Sequence, residues 1–146
     1  MKILVALFVV GLFAGADCNG QKTSRNQTWT KKLQTTPVAK IEAGLPQKPF
    51  NQWLVELTRS EPKYEMSDCE TSGSSATGEC ITVTADTAPM RRVELTFAVP
   101  AERSVNAGEG AVCTFVRGSV GPSDPRMKAP TRIIRKLSEL EKLLGP

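Results

Sequence analysis

The sequence predicts a mainly β fold, a small antiparallel sheet or barrel stabilised by disulfide bonds, with a C-terminal amphipathic α-helix. Three observations lead to this fold class. Apolar and polar residues alternate in the middle of the chain, four cysteines are present, and an apolar stripe of helical period lies near the C-terminus. The 146 residues suit one domain, and glycine- and proline-rich turns separate the alternating segments.

The strands are predicted from residues that alternate between apolar and polar. Between residues 92 and 99, Val93, Leu95 and Phe97 occupy every second position, the pattern of a strand with one buried face. Short strands joined by such turns are typical of antiparallel sheets. The predicted strands are, in chain order, residues 37–43 (the weakest candidate), 52–58 with Trp53, Val55 and Leu57, 80–85, 92–99 and 111–116.

The strongest predicted helix spans residues 131–144, after a linker at residues 121–130 that is rich in glycine and proline. Thr131 stands at the N-cap position, and Gly145 follows the last helical residue. A helix this short needs a surface to lie against. We expect it to pack on the sheet of its own protein, the alternatives being a membrane or microbial surface and helix-mediated association. Its expected contact face consists of Ile133, Leu137, Leu140 and Leu144.

The N-terminus has the pattern of a cleaved signal peptide at residues 1–16. Lys2 precedes eleven apolar residues, and Ala14-Gly15-Ala16 supplies the small residues that signal peptidase requires. Eleven residues at ~1.5 Å each are too few to cross ~30 Å of hydrocarbon. We therefore expect a secreted, extracellular protein that begins at Asp17, with a disulfide-stabilised β domain at 17–120, the linker at 121–130 and the helix at 131–146.

The four cysteines predict two disulfide bonds, because an even number in an exported chain is typical of a disulfide framework. Four cysteines allow three connectivities. Cys69–Cys80 is favoured because the ten residues between them (ETSGSSATGE) form a polar loop that needs closing. Cys18–Cys113 then follows by elimination. Without histidine or a CxxC pair, the sequence predicts neither a metal site nor a cofactor.

Composition argues against nucleic-acid binding and against an enzyme. When Lys2 leaves with the signal peptide, the 19 basic residues become 18 against 15 acidic residues, a net charge of +3, which is too small to indicate nucleic acid. The lack of histidine excludes Ser-His-Asp and Cys-His catalysis, and no phosphate-binding loop is present. Asn26-Gln27-Thr28 is an acceptor sequence for N-linked glycan in a eukaryotic source.

Two segments resemble the inhibitory hairpins of cystatins, within a match that covers about residues 31–113. Residues 40–44 (KIEAG) and the predicted strand after them are similar to the first cystatin hairpin. Residues 91–100 (RRVELTFAVP) are similar to the strand that leads to the second, Val-Pro hairpin, and Cys69 and Cys80 are spaced like the first cystatin disulfide. The resemblance implies inhibition of papain-type cysteine proteases through loops at Gly44 and at Val99-Pro100. Cathelin-type relatives carry a defence peptide after such a domain.

Three hypotheses of function follow from these patterns. The first is a secreted, non-enzymatic binding or structural module whose partner is an extracellular protein. The second is a cystatin-like inhibitor of cysteine proteases. The third is a host-defence or venom component that acts through its C-terminal helix, for which Glu139 and Glu141 weaken binding to a membrane surface. The sequence does not indicate an oligomeric state.

Overall fold

A computed structural model describes residues 18–70, 77–101 and 110–145, with the side chains of residues 18–24 and 77 excepted. The expected signal peptide lies outside these residues. The helices are α1 (Cys18–Thr35), α2 (Val38–Ile41), α3 (Phe50–Thr58) and α4 (Leu137–Leu144). The strands are β1 (Lys63–Glu70), β2 (Thr77–Thr87), β3 (Arg91–Ala98), β4 (Thr114–Pro122) and β5 (Arg132–Ile134).

The five strands form one antiparallel sheet in the order β1-β2-β3-β4-β5, so each strand pairs with its neighbour in sequence. The predicted fold class, mainly β with a C-terminal helix, is therefore confirmed. The register follows the alternation in the sequence, since Val83 lies opposite Leu95 and both are fully buried. The other face of the same strands carries Thr82, Thr84 and Glu94.

The buried face of the sheet, called the inner face below, packs against the helices. Phe50 of α3 meets Phe97 of β3 edge to face, with ring centroids 5.1 Å apart. Leu54 of α3 and Leu140 of α4 are fully buried in the same cluster. The protein thus has a sheet layer, a helix layer and one core between them.

The strand predicted at residues 52–58 is wrong, because these residues belong to α3. The buried positions are Phe50, Trp53, Leu54 and Thr58, whose spacing follows the helical period. Arg59 then adopts a left-handed conformation (φ 57°) and ends the helix. The weaker strand predicted at 37–43 is also wrong. It contains the single helical turn α2. The only strand pairing of this described segment is an isolated bridge between Pro37 and Pro49.

Helix α1 was not predicted, because its sequence has no continuous apolar stripe. Its apolar contacts with the core come from Trp29, which is partly buried, and from Leu33, which is 1% exposed. The rest of its described face is polar. Contact with the core, rather than amphipathic patterning, therefore stabilises this helix.

The structure differs from the predicted linker and helix at the C-terminus. Strand β4 extends to Pro122, β5 pairs with it, and the helix begins at Leu137 instead of Thr131. The cause lies at Gly118, where a Cβ atom would be 2.6 Å from the Ile134 side chain. The absence of a side chain at Gly118 lets β5 place Ile134 in the core. Ile133 consequently points to the opposite face, where it is 64% exposed.

Helix α4 is tied to the N-terminal half of the chain. The Glu42 carboxylate accepts hydrogen bonds from the backbone N–H groups of Leu137 (2.9 Å) and Ser138 (2.8 Å), so a distant side chain caps the helix. The Trp53 indole N–H donates to Glu141 Oε1 at 2.9 Å. These bonds, with Leu137 and Leu140 fully buried, hold the helix against its own domain.

Candidate functional site

The predicted disulfide bond Cys69–Cys80 is present and joins β1 to β2. The two cysteines are diagonal neighbours, since Cys69 lies opposite Gly78 and Cys80 lies opposite Ser67, and their Cα atoms are 5.8 Å apart. The bond closes the connection between β1 and β2, of which residues 71–76 lie outside the described residues. It stabilises an edge of the sheet and brings no other predicted site residue with it.

The expected second bond, Cys18–Cys113, is not formed, because Cys113 is a buried free thiol. Lys32, near the end of α1, is the cation that acts on this thiol. Cys18 lies 14 residues earlier in the same helix, about 21 Å along its axis at 1.5 Å per residue. A disulfide needs Cα atoms within about 7 Å. The helical conformation of α1 therefore keeps the two cysteines apart.

Burial raises the pKa of the Cys113 thiol from 9.0 to about 11. We expect Cys113 to resist iodoacetamide at pH 8 in the folded protein and to react after denaturation. Because the folded state retains the proton longer than the unfolded state, stability should fall as pH rises from about 9 to about 11. Peptide mapping by mass spectrometry separates the label on Cys113 from that on Cys18. A disulfide-linked Cys113 peptide, or fast labelling of the native protein, would contradict the assignment.

The glycosylation acceptor Asn26 lies on α1 and is half-buried. With Tyr64 and Met66 of β1 it lines a cleft of about 520 Å³ between α1 and the sheet. Gln27 and Thr28 of the same acceptor sequence are exposed. Occupancy by a glycan stays a prediction.

The two loops that the cystatin resemblance implies differ in accessibility. Gly44 lies in an exposed turn after α2, with φ +90° and open space around its Cα. Val99 is only 8% exposed, and its backbone N–H donates to the Glu79 carbonyl at 2.9 Å. Pro100 follows half-buried, and residues 102–109 lie outside the described residues. Val99 is thus part of the core rather than a side chain available for insertion into a protease cleft.

A groove of about 480 Å³ lies between the β2–β3 turn, the end of β4, the segment before β5 and the end of α4. We call it the methionine groove. Val120, 5% exposed, forms its base, and Leu143 of α4 contributes one wall. Two exposed methionines stand at its rim, Met90 (58% exposed) and Met127 (42% exposed). Its further lining includes Pro89, Pro130, Arg91 and Arg132.

The rim residue Met90 occupies a turn position that usually favours glycine. It follows β2 in the tight turn to β3 and has a positive φ of 53°. The Ser123 N–H donates to its carbonyl at 2.8 Å, which ties the turn to the chain after β4. A large apolar side chain here gives the fold neither burial nor a relaxed backbone.

Arg91 breaks the apolar series of the inner face. Positions 97, 95 and 93 of β3 are fully buried apolar residues, and Arg91 is the next residue on that face. Its Nε atom is shielded from water and has no hydrogen-bond partner among the described residues. The neighbouring Arg92, on the outer face, is paired with Asp86 at 2.9 Å. The groove therefore contains a cation whose hydrogen bonding is incomplete.

A second cleft, of about 390 Å³, lies on the outer face and is lined by polar residues that include Glu61, Lys63 and Glu65. The cleft also contains the ion pair between Asp86 and Arg92. The hydrogen bond from Arg92 is the main cause of the lowered pKa of Asp86. The cleft thus carries both signs of charge and little apolar surface. These features favour a solvated surface over a ligand site.

No group of three or more side chains in the described part of the chain could hold a metal ion. Over the same residues, no helix is long and apolar enough to cross a membrane. The methionine groove is not predictable from local sequence patterns, since its residues come from the β2–β3 turn, β3, β4, the segment before β5, β5 and α4. The signal available in the sequence was Arg91, which stands where the alternation of β3 calls for an apolar residue.

Compared with known proteins, the chain matches no family model, no curated protein and no solved structure. The geometry described above therefore has to carry any assignment of function. Among the clefts described here, the methionine groove combines exposed apolar side chains with an incompletely bonded cation. That combination is typical of ligand sites, in which a few polar groups stand among apolar ones.

Proposed function

We propose that this protein acts outside the cell as a non-enzymatic binding protein and that the methionine groove is its binding site. The observation that carries the proposal is the exposure of Met90 and Met127 on one groove. Methionine side chains adapt their shape to apolar ligands, which suits them to a binding surface. The leader sequence and the Cys69–Cys80 disulfide support an extracellular location.

Two observations favour this function over the alternatives. A membrane-active helix would have to expose Leu137 and Leu140, which are fully buried and held by the Glu42 cap. A cystatin-like inhibitor would have to present Val99, which is buried in the core. Binding in the methionine groove requires neither rearrangement, because the groove is already open.

The proposal is tested by titrating the protein with N-phenyl-1-naphthylamine, a neutral apolar dye that fluoresces when it leaves water. We expect saturable binding of one dye per protein. Met90→Asn and Met127→Asn should each weaken binding about tenfold, because each removes about two buried methylene equivalents from the contact. Asparagine also tolerates the positive φ of residue 90.

Ile133→Asn is the matched control, because Ile133 is an exposed apolar residue outside the groove. It should leave the dye affinity unchanged. Absence of saturable binding would refute the proposed site. An equal loss in all three variants would show that the dye binds exposed apolar surface without preference for the groove.

A further inference from the structure

We infer that the ligand of the methionine groove is a single-chain amphiphile with a carboxylate headgroup, and that Arg91 binds this headgroup. The inference rests on the proposed function, since it names the class of ligand that this groove takes. It follows from three features of the groove: the state of the Arg91 guanidinium, the charge around it, and the shape of the apolar part.

The guanidinium of Arg91 needs an acceptor. Its Nε–H, shielded from water, has no partner among the described residues, and a guanidinium offers only donors. An unsatisfied donor of this kind is unfavourable, and a charged one more so. The shielded Nε–H is out of reach of a ligand as well, so the contact falls to the other N–H groups of Arg91, which lines the groove. Two of these groups, as a planar fork, can donate to the two oxygens of a carboxylate. A neutral headgroup would accept less strongly, and a cationic headgroup would be repelled.

The charge around the groove favours an anion. The described lining includes Arg91 and Arg132 but no acidic residue. Lys128 and Arg126, both exposed, stand on the segment that forms one side. The nearest acidic residue of that segment, Asp124, accepts the backbone N–H of Arg126 at 2.9 Å. An anionic headgroup therefore meets positive charge from two sides of the groove.

The apolar part of the groove fits one alkyl chain. Val120 and Leu143 bound it below and at the side, and Met90 and Met127 cover it from the rim. Its volume of about 480 Å³ lies in the usual range for sites that take one small ligand. When the headgroup binds Arg91, the alkyl chain of the ligand lies along Val120. Arg91 is two residues before Val93 on the same face of β3, and Val93 pairs with Val120 across the sheet.

The test measures displacement of N-phenyl-1-naphthylamine by three ten-carbon ligands, decanoate, decanol and decylammonium, at pH 7.4 and below their micelle concentrations. We expect decanoate to bind at least tenfold more tightly than decanol and decylammonium to bind most weakly. Vesicles of anionic phospholipid should not sediment the protein, because the groove holds a single chain. Sedimentation by vesicles without displacement by decanoate would overturn the inference in favour of a lipid surface.

Arg91→Met tests the headgroup contact, because methionine keeps much of the side-chain length but removes the charge. We expect the preference for decanoate over decanol to fall below twofold. Arg91→Lys, which retains the charge but not the fork, should give an intermediate preference. Arg117→Met, an exposed arginine on the outer face of β4, is the control and should keep the full preference.

The outcomes separate this inference from the proposed function. If the dye binds in the groove but decanoate and decanol displace it equally, the carboxylate preference is refuted and the binding site stands. If the dye does not bind saturably, both fall. Should Arg91→Met fail to fold, the comparison of the three ligands on the wild-type protein still decides the headgroup.

Discussion

Leu140→Ala should lower the free energy of unfolding by about 2–5 kcal/mol. Leu140 of α4 is fully buried in the core, so the substitution removes apolar contacts and leaves a cavity. A domain of ordinary stability has only about 5–15 kcal/mol in total. The melting temperature should fall by roughly 10 °C, as measured by circular dichroism or calorimetry.

Ile133→Ala is the matched control for this substitution. Both residues belong to the predicted apolar face of the C-terminal helix, but the structure places Ile133 on β5, where it is 64% exposed. Its truncation should change stability by no more than about 0.5 kcal/mol. If the two substitutions had the same small effect, α4 would not be docked on the sheet.

Phe97→Ala should be the most damaging substitution in the sheet, with a loss of about 3–5 kcal/mol. Phe97 is fully buried, and its ring lies 5.1 Å from that of Phe50 and 5.6 Å from that of Phe115. Its removal breaks two aromatic contacts and separates the sheet from α3 at the centre of the core. Urea unfolding of the purified variant measures the loss.

Phe115→Ala removes the same side chain from the margin of this cluster. Phe115 of β4 is only partly buried and makes one of the two ring contacts. We expect it to cost less than half as much as Phe97→Ala. A larger loss at Phe115 would mean that the centre of the core lies nearer β4 than the structure places it.

The alternation in the sequence located the central strands because one face of the sheet is buried and the other is not. Residues 92–99 alternate regularly, and β3 runs from Arg91 to Ala98. Strand β4 was predicted too early, at 111–116, because Gly118 and Gly121 gave its second half the appearance of a loop. In the structure these glycines lie opposite side chains of the next segment, Ile134 and Thr131.

The helices were less predictable from local pattern. The segment that forms α3 fits both periods, since Trp53, Val55 and Leu57 alternate while Phe50 and Leu54 complete a helical face. Packing against Phe97 decides between the two. Helix α1 has too few apolar residues for either pattern. The start of α4 depends on a distant contact, because Ile134 enters the core beside Gly118.

The candidate site depends on contacts between segments that are distant in sequence. Met90, Met127 and Leu143 line one groove although 53 positions separate the first from the last in the chain of 146 residues. No spacing rule links them. The exposure of the two methionines can be seen only on the folded surface. Arg91, in contrast, is visible in the sequence as a charged residue at the start of the alternating apolar positions of β3.

The long-range cap on α4 affects the order in which the protein assembles. Glu42 bonds to residues 95 and 96 positions later, and Trp53 bonds to Glu141 across 88 positions. The sheet forms from neighbouring hairpins as the chain emerges, but the part of the core that α4 covers stays exposed until α4 has been synthesised. Chains that end before Leu137 would expose the core that Leu137 and Leu140 cover, which makes them targets for chaperones and proteases.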